Sequence, residues 1–318
     1  MTGGYTIGID LGGTNIKGGV CDAGFRLVVQ EEIETQADRG PEHVIARMAA
    51  LVTTLIQKAG LTHGDIRGVG VGAPGPMSHA AGMIYHAPNL PGFVNVPLRD
   101  RMAELTRLPV TLENDANAAA FGEFAAGAGR DVRDMVMLTL GTGIGGGVVL
   151  DGQLWRGAFD NAGELGHSIV VPAGRPCPCG QKGCLERYSS AQAVAERARE
   201  AVQAGAPSSL RAKALAGADF DARDVLAAQA AGDALAERIW DEACYYLALA
   251  AVNIQHAFNP ELIVFAGGLI RAGQALLGRV RTHFEALSWT IAPDRPRLAL
   301  ATLGTDAGTI GAAALARA

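Results

Sequence analysis

The chain has 318 residues, of which 49% are hydrophobic and 19% charged, and its formal net charge is −5. Wholesale disorder is excluded by the apolar content, and the length predicts two domains. The acidic balance argues against a nucleic-acid partner or an anionic membrane surface, and the first ten residues lack the pattern of a secretory signal. We therefore expect a cytoplasmic protein that has neither nucleic acid nor membrane as a partner.

A glycine turn follows the first predicted strand. Tyr5–Asp10 is predicted as a buried strand, and Leu11–Thr14 forms a turn before a second strand at Ile16–Cys21. Such a turn brings backbone N–H groups and a threonine hydroxyl close to an anion. Asp10 could hold Mg²⁺ through water, and Lys17 could face a phosphate. A hairpin that merely needs glycine explains the same residues.

The pattern recurs later in the chain. Residues 10–22 align without gaps with residues 139–151, and each copy follows an apolar strand and opens another. This internal repeat predicts two related domains, each presenting a loop to one phosphate chain in the cleft between them. The second turn consists of Gly141, Thr142 and Gly143. A duplication without functional meaning stays open as an alternative.

Two irregular segments and a strand–helix junction lie between the repeats. A strand at 66–71 breaks sharply at Gly72–Pro76, as expected of a loop that enters a cleft. The segment 85–97 is predicted to be mainly surface loop, with Asn89 as a candidate for hydroxyl recognition. A short strand at 109–112 then leads into Glu113–Asn117 and an alanine-rich helix that ends near residue 126.

Asp115 has two interpretations. Asparagine or aspartate at a strand-to-helix junction is ordinarily a helix N-cap. A carboxylate in a cleft could instead accept the proton of a hydroxyl nucleophile, and the amides of Asn114 and Asn117 could orient a polyol beside it.

Three cysteines and one histidine lie within eighteen positions, in a chain with five cysteines. Three thiolates and an imidazole complete the tetrahedral shell of a Zn²⁺ ion and leave no position for an activated water, so the predicted metal is structural. Gly180 and Gly183 allow the tight turns that this requires. A disulfide or scattered buried thiols are the alternatives. The predicted ligands are His167, Cys177, Cys179 and Cys184.

Helical spacing dominates the remainder of the chain. Helices are predicted at 189–204, 209–216, 222–230 and 233–258. A strand at 261–265 runs into Gly267 and Gly268, where an adenine or ribose could lie against bare backbone, although a tight turn explains the glycines equally. A helix at 269–287, a strand at 298–301 and a closing helix at 308–316 complete the prediction.

Together these motifs resemble the ROK family of sugar kinases and sugar-responsive repressors, and the bacterial glucokinases in particular. The resemblance covers nearly the whole chain. The cysteine motif is highly specific, whereas the glycine turns are not. The matching motifs, in chain order, are Asp10–Thr14, Gly72–Gly75, Glu113–Asn117, Gly141–Gly143, Glu164 with His167, and Cys177–Glu186.

The resemblance implies an α/β, actin-like ATPase fold of two RNase H-like domains that close on ATP and a sugar. It implies a first domain over 1–115, completed by 305–318, and a larger domain over 116–304 with the zinc loop. The implied reaction is ATP-dependent phosphorylation of the 6-hydroxyl of a hexose, with glucose expected. The implied cofactors are ATP with Mg²⁺ and a structural Zn²⁺, and the implied assembly is a homodimer or homotetramer.

The resemblance also implies roles for individual residues. Asp115 is the expected catalytic base. The expected sugar-binding residues are Gly72, Asn89, Asn114, Asp115, Glu164, His167 and Glu186. The expected phosphate-site residues are Asp10, Gly12, Gly13, Thr14, Lys17, Gly141, Thr142 and Gly143, and Gly267 and Gly268 are expected at the nucleoside.

The chain departs from the family pattern at two places. Many relatives have lysine where this chain has Asn15, which leaves the role of Lys17 open. Relatives often have an acidic residue after the Pro-Gly-Pro turn, whereas Met77–His79 follows here. An N-acetylhexosamine kinase or a fructokinase remains an alternative. A repressor would need a helix-turn-helix before Asp10, and an actin-like ATPase without a sugar would leave Glu164, His167 and Glu186 unexplained.

Overall fold

The structure is a computed structural model and describes residues 4–215, 220–289, 291 and 294–317. The strands are, in chain order, β1 (Tyr5–Leu11), β2 (Asn15–Cys21), β3 (Leu27–Glu34), β4 (Ile66–Ala73), β5 (Met77–Ser78), β6 (Met83–His86), β7 (Val94–Val96), β8 (Val110–Asn114), β9 (Met135–Leu140), β10 (Ile144–Leu150), β11 (Gln153–Leu154), β12 (Leu262–Ala266) and β13 (Arg297–Leu300). The α-helices are α1 (Pro41–Lys58), α2 (Leu98–Thr106), α3 (Asp115–Ala126), α4 (Glu186–Ser189), α5 (Ala191–Gln203), α6 (Arg211–Leu215), α7 (Ala222–Ala230), α8 (Ala234–Phe258), α9 (Gln274–Leu287) and α10 (Ala307–Leu315).

Contacts divide the chain into two compact units. Unit 1 consists of Met1–Arg133, Gly147–Gly163 and Thr302–Ala318, and unit 2 of Asp134–Gly146 and Glu164–Ala301. The sequence analysis expected the second domain to begin at residue 116. The contacts instead keep α3 in unit 1, because α3 packs closely along α10. A Cβ atom on Gly311 of α10 would collide with the backbone of Ala118, so glycine is needed for this close approach.

The sheet of unit 1 has the strand order β3-β2-β1-β4-β8. β1 is antiparallel to β2 and parallel to β4, and β4 is parallel to β8. Helix α1 buries an apolar face against this sheet, which includes Val44, Met48 and Leu55. The backbone of α10 lies so close to the strands that a Cβ on Gly8 or Gly70 would collide with it. Helices therefore cover both faces, which explains why β1 and β4 are almost wholly buried.

The second five-stranded sheet has the order β11-β10-β9-β12-β13. Here β10 and β11 are antiparallel, and β9, β12 and β13 are parallel. This order repeats that of the first sheet, as the internal repeat predicts. In unit 2, α8 packs on α9, and the fully buried Trp240 donates its Nε1–H to the carbonyl of Ala275 at 3.1 Å.

The structure corrects the expected elements in three places. The segment 85–97 is less irregular than expected, since it overlaps β6 and contains β7, which form a small antiparallel sheet with β5. The fully buried Leu90 and Phe93 hold it against the core. The expected helix 269–287 is divided into a 3₁₀ turn (Gly268–Ala272) and α9, because Gly273 has φ 55°. The end of the helix expected at 209–216 lies outside the described residues.

None of the described helices combines the length and the apolar character needed to cross a membrane.

Candidate active site and metal site

Asp115 stands at the exposed start of α3, where β8 ends. The N-cap of α3 is Asn114, whose Oδ1 accepts the backbone N–H groups of Ala116 at 2.9 Å and Asn117 at 3.2 Å. The N-cap of this junction is therefore Asn114 and not Asp115, while Asp115 Oδ1 also accepts the N–H of Ala116 at 2.8 Å. As the first residue of α3, Asp115 has its carboxylate at the positive end of the helix dipole, which stabilises a negative charge.

Asp10 lies next to the last residue of β1 and is half-buried. Burial, followed by the charge of Asp115, raises the pKa of Asp10 from 3.8 to about 6, and Lys17 opposes this shift. Lys17 is the cross-strand partner of Asp10 on β2, and its Nζ lies 3.9 Å from Glu32 Oε2. A divalent cation near Asp10 would favour the ionised carboxylate, so the environment fits the predicted role beside Mg²⁺.

The first glycine turn is held by hydrogen bonds from two directions. Gly12 N donates to Asn15 O at 3.0 Å, and Thr35 donates its hydroxyl to Gly12 O at 2.7 Å. A Cβ on Gly13 would lie 2.8 Å from the carbonyl oxygen of Asn89. The structure thus brings Asn89 to the turn. Asn15, the residue that departs from the family pattern, donates to Glu32 Oε1 at 2.5 Å.

Gly72 packs against the first turn of α3, which carries Asp115. It is buried on β4, and a Cβ there would lie 3.2 Å from Ala118 Cβ and 3.7 Å from the Cα of Asp115. A side chain at this position would therefore press on the first turn of α3. Within unit 1 the structure brings together the predicted residues Asp10, Gly12, Gly13, Asn89, Gly72 and Asp115.

The second glycine turn lies in unit 2 and is held by a carboxylate. Gly141 N donates to Gly143 O at 3.0 Å, and Ala191 N donates to Gly141 O at 2.9 Å. Glu186 accepts the N–H of Ile144 at 2.8 Å, and a Cβ on Gly143 would collide with the same carboxylate. The predicted sugar-binding residue Glu186 is thus in direct contact with a predicted phosphate turn.

A cavity of about 1300 Å³ opens beside this turn, within unit 2. Thr142 and Gly268 line it together with α5, α7 and the chain that follows β12. On one wall the Arg199 guanidinium lies over the Phe220 ring, 5.1 Å from its centroid. Gly267 has φ 86°, and a Cβ there would lie 2.6 Å from Leu140 O, so only glycine fits easily. Sequence reasoning singled out Gly268, which lines this cavity, and its neighbour Gly267, but missed the walls from α5 and α7, whose helical spacing carries no such signal.

The predicted metal ligands converge in unit 2. One ligand atom from each of His167, Cys177, Cys179 and Cys184 lies within 4.8 Å of the others. His167 Nδ1 is 3.7 Å from Cys177 Sγ, and the sulfur atoms of Cys179 and Cys184 are also 3.7 Å apart. A tetrahedral ion with Zn–S bonds of about 2.3 Å separates its ligand atoms by about 3.8 Å. The spacing therefore fits such an ion.

Local turns explain why the four side chains meet. Gly180 N donates to Cys177 O at 3.0 Å, and Gly180 and Gly183 have φ 93° and 84°. Burial raises the pKa of Cys177, and burial together with the neighbouring thiols raises the pKa of Cys184 to about 12. Thiolates in such a place need a nearby cation, which is the chemistry that Zn²⁺ supplies.

The remaining predicted residues occupy less defined places. Thr14 is exposed at the first turn, and Glu164 begins the 3₁₀ turn that carries His167. Sequence reasoning missed Glu113 as a buried centre of hydrogen bonds, although it lies inside a motif that was recognised. It also missed Arg156, which comes from a distant part of the chain and has no local signal.

Comparisons with known proteins found a matching family model and similar chains. The model of the ROK family matches residues 6–318. The glucokinase of Halalkalibacterium halodurans is 39% identical over 98% of this chain and 94% of its own length. The N-acetylmannosamine kinase of Citrobacter koseri is 34% identical over 98% of both chains. A crystal structure of a ROK family glucokinase from Streptomyces griseus, in complex with glucose and AMPPNP, has 33% identity, a TM-score of 0.78 and 99% coverage of both chains.

The two repeated α/β sheets with their covering helices, and the likeness to solved structures of this kind, define an actin-like ATPase fold. The chain belongs to the ROK family.

Proposed function

We propose that this protein is an ATP-dependent hexokinase that phosphorylates the 6-hydroxyl of glucose. The observation that carries the proposal is the arrangement in unit 1, where the exposed Asp115 stands near Asp10 and a rigid glycine turn that Asn89 contacts. Relatives named glucokinase at up to 39% identity support the choice of reaction and of sugar. The motifs expected to bind nucleotide phosphates and those expected to bind a sugar thus occur together on one chain.

The residues of unit 1 take the positional roles that phosphoryl transfer requires. Asp115 accepts the proton of the attacking sugar hydroxyl as general base. Asn89 and Asn114 orient hydroxyl groups, with the Oδ1 of Asn114 already used as the helix cap and its Nδ2 available to donate. Asp10 would hold the Mg²⁺ that accompanies the nucleotide, and Lys17 favours the ionised form of the Asp10 carboxylate. Backbone N–H groups of Gly12 and Gly13, with the Thr14 hydroxyl, bind phosphate.

The residues of unit 2 complete the proposal. The turn Gly141–Gly143 binds phosphate, and the adjoining cavity with Gly267 and Gly268 receives the nucleoside. Glu164, His167 and Glu186 bind sugar hydroxyl groups. Metal coordination through Nδ1 of His167 would fix the ring and leave Nε2 for the sugar.

We also propose that Cys177, Cys179, Cys184 and His167 hold one structural Zn²⁺. Four protein ligands leave no open coordination position, so the ion supplies rigidity and no bound nucleophile. We further propose a homodimer or homotetramer, as the family resemblance implies, which light scattering coupled to size-exclusion chromatography tests directly.

The alternative reaction is phosphorylation of an N-acetylhexosamine, which the relative named N-acetylmannosamine kinase supports. A coupled ADP-release assay with glucose, mannose, fructose, N-acetylglucosamine and N-acetylmannosamine separates the candidates. We expect kcat/KM for glucose to exceed that for each N-acetylhexosamine by at least about tenfold, a difference of about 1.4 kcal/mol in transition-state stabilisation. A reversed preference would establish the alternative, and no ADP release with any sugar would refute the kinase proposal.

A further inference from the structure

We propose that Glu113, Arg156 and His79 form a positioning network that fixes the end of β8, and with it Asn114 and Asp115. The inference rests on the proposed function, because it assigns the network to the general base of that reaction. None of the three residues needs to touch substrate. Each acts through the backbone and first helical turn that present Asp115.

Glu113 is the centre of the network. It is only 3% exposed, and its two carboxylate oxygens have different partners. Oε1 accepts the backbone N–H of Asn114 and the Nδ2–H of Asn117, both at 3.0 Å. These two donors lie on either side of Asp115, at the N-cap and in the first turn of α3. A shift of the Glu113 side chain would therefore release both sides of the residue proposed as base.

Arg156 supplies the charge that Glu113 needs. Its Nε donates to Glu113 Oε2 at 2.6 Å, and the arginine side chain is 25% exposed. A buried carboxylate that loses its cationic partner keeps its desolvation penalty, so it moves towards water or takes up a proton. Arg156 comes from the segment 155–163, which a hydrogen bond from Ala162 N to Arg156 O closes at 3.0 Å.

His79 lies near the same Glu113 oxygen that Arg156 contacts. Its Nδ1 lies 3.0 Å from Leu112 O and 4.0 Å from Glu113 Oε2, and its backbone N–H donates to Asp160 Oδ2 at 2.9 Å. The Arg99 guanidinium donates to the carbonyl of Ala80 at 2.9 Å and holds the same loop. The loop 77–82, where this chain departs from the family pattern, is thus fixed to both β8 and the segment 155–163.

Melting temperature and kcat together distinguish a positioning role from simple stabilisation. A stabilising ion pair, when removed, lowers the melting temperature and leaves turnover unchanged in the molecules that remain folded. Removal of a positioning contact lowers kcat in folded protein as well, because small displacements of a catalytic group are costly. The effect on kcat should exceed the effect on KM for ATP, since Glu113 contacts neither glycine turn.

The test compares Arg156→Gln and Arg156→Lys with the control Arg133→Gln. Arg133 also lies in unit 1 and forms an ion pair with Asp151, but both side chains are highly exposed, so its loss should be nearly silent. We expect Arg156→Gln to lower kcat at least about tenfold at a temperature well below its melting point, with less than about a threefold change in KM for ATP. Arg156→Lys keeps a positive charge but lacks the planar guanidinium group, so its kcat should lie between those of wild type and Arg156→Gln.

A second readout does not depend on activity. Amide hydrogen exchange in a peptide covering residues 113–120 should be faster in Arg156→Gln than in wild type or Arg133→Gln, because the Asn114 N–H loses its fixed acceptor. The double variant Glu113→Gln/Arg156→Gln should lose less kcat than the product of the single effects.

Wild-type kcat together with unchanged exchange in Arg156→Gln would overturn the network. A lower melting temperature with unchanged kcat would also overturn it and leave a stabilising pair only. If Arg156→Gln does not fold, Arg156→Lys and its exchange rates decide by the same criteria. If wild type phosphorylates no sugar, the proposed function fails, whereas the exchange experiment still tests the network.

Discussion

The two glycine turns occupy equivalent positions in two sheets of the same strand order, yet their surroundings differ. The turn of unit 1 follows Asp10, and its glycines meet backbone oxygens of Asn15 and Asn89. The turn of unit 2 follows Thr139, whose hydroxyl accepts the N–H of Gly145 at 3.2 Å, and it is held by Glu186. The repeated backbone therefore supplies two similar turns, which we propose as phosphate sites, while of the two strands that precede them only β1 carries an aspartate, Asp10, near its end.

The two turns also differ in the reason why each glycine is present. The four glycines of the two turns are absent from the positive-φ residues, so backbone conformation does not require them. Space requires three of them, because a Cβ on Gly12, Gly13 or Gly143 would lie closer than 3.0 Å to neighbouring atoms. Gly141 is the exception, since its nearest neighbour would be 4.0 Å away. The protein itself therefore leaves room for a Cβ at Gly141.

The largest effect is expected where the units differ most, at the carboxylates of unit 1. Asp115→Asn should lower kcat by about 10²–10⁴, because general-base catalysis contributes that much. The melting temperature should stay near wild type, since the cap of α3 is Asn114. Steady-state kinetics and thermal unfolding check the two parts. A variant with more than about a tenth of wild-type kcat would transfer the base role to another residue, with Glu164 as the next candidate.

A large effect is expected in unit 2 from loss of the metal. Cys179→Ser should lower zinc content, thermal stability and activity together, because the free energy of metal binding contributes to the free energy of folding. Elemental analysis, unfolding and kinetics measure these quantities on the same preparation. Cys244→Ser provides the matched control, since Cys244 is a buried cysteine of α8 outside the cluster and should keep full zinc content. Zinc-free wild-type protein, purified without chelator, would contradict the proposal.

A moderate effect on stability is expected at Asp10. Its folded-state pKa of about 6 lies above the unfolded value near 3.8, so ionisation above pH 6 destabilises the folded state. Asp10→Asn should therefore raise the free energy of unfolding at pH 7.5 by up to about 3 kcal/mol, while activity falls. The gain should shrink as the pH falls from 6 to 4, where the wild-type carboxyl is protonated. Urea unfolding at pH 7.5 and 4.5 measures it, and an equal gain at both values would exclude ionisation as the cause.

The smallest effects are expected from methyl groups at the two turns. Gly141→Ala has room in the protein and should leave the melting temperature unchanged, but it should weaken ATP binding if phosphate approaches there. Gly12→Ala would place its Cβ 2.8 Å from Asn15 O, so it should also lower stability, by about 1–3 kcal/mol. Calorimetric ATP titration and thermal unfolding distinguish the two. Unchanged ATP affinity in Gly141→Ala would mean that the second turn is architectural.

The local features of the fold were predictable because they depend on neighbours in sequence. The hairpin at the first turn, helix α8 and the repeat of strand order follow from apolar periodicity and glycine placement. The segment 85–97 was less predictable, because two buried side chains, Leu90 and Phe93, draw a sequence rich in turn residues against the core. The sequence left open which residue of the junction caps α3, since side-chain direction decides which oxygen meets the free N–H groups.

By itself, the sequence determined the residue types of the site: four metal ligands in close spacing, two glycine turns, and an aspartate at a strand-to-helix junction. Tertiary structure alone decided which distant residues support them. Arg156 reaches Glu113 across 43 positions, Glu186 reaches Ile144 across 42, and Asn89 meets Gly13 through backbone atoms. Such contacts depend on how strands and helices pack, and a pattern of neighbouring residues does not encode the partner of a side chain so far along the chain.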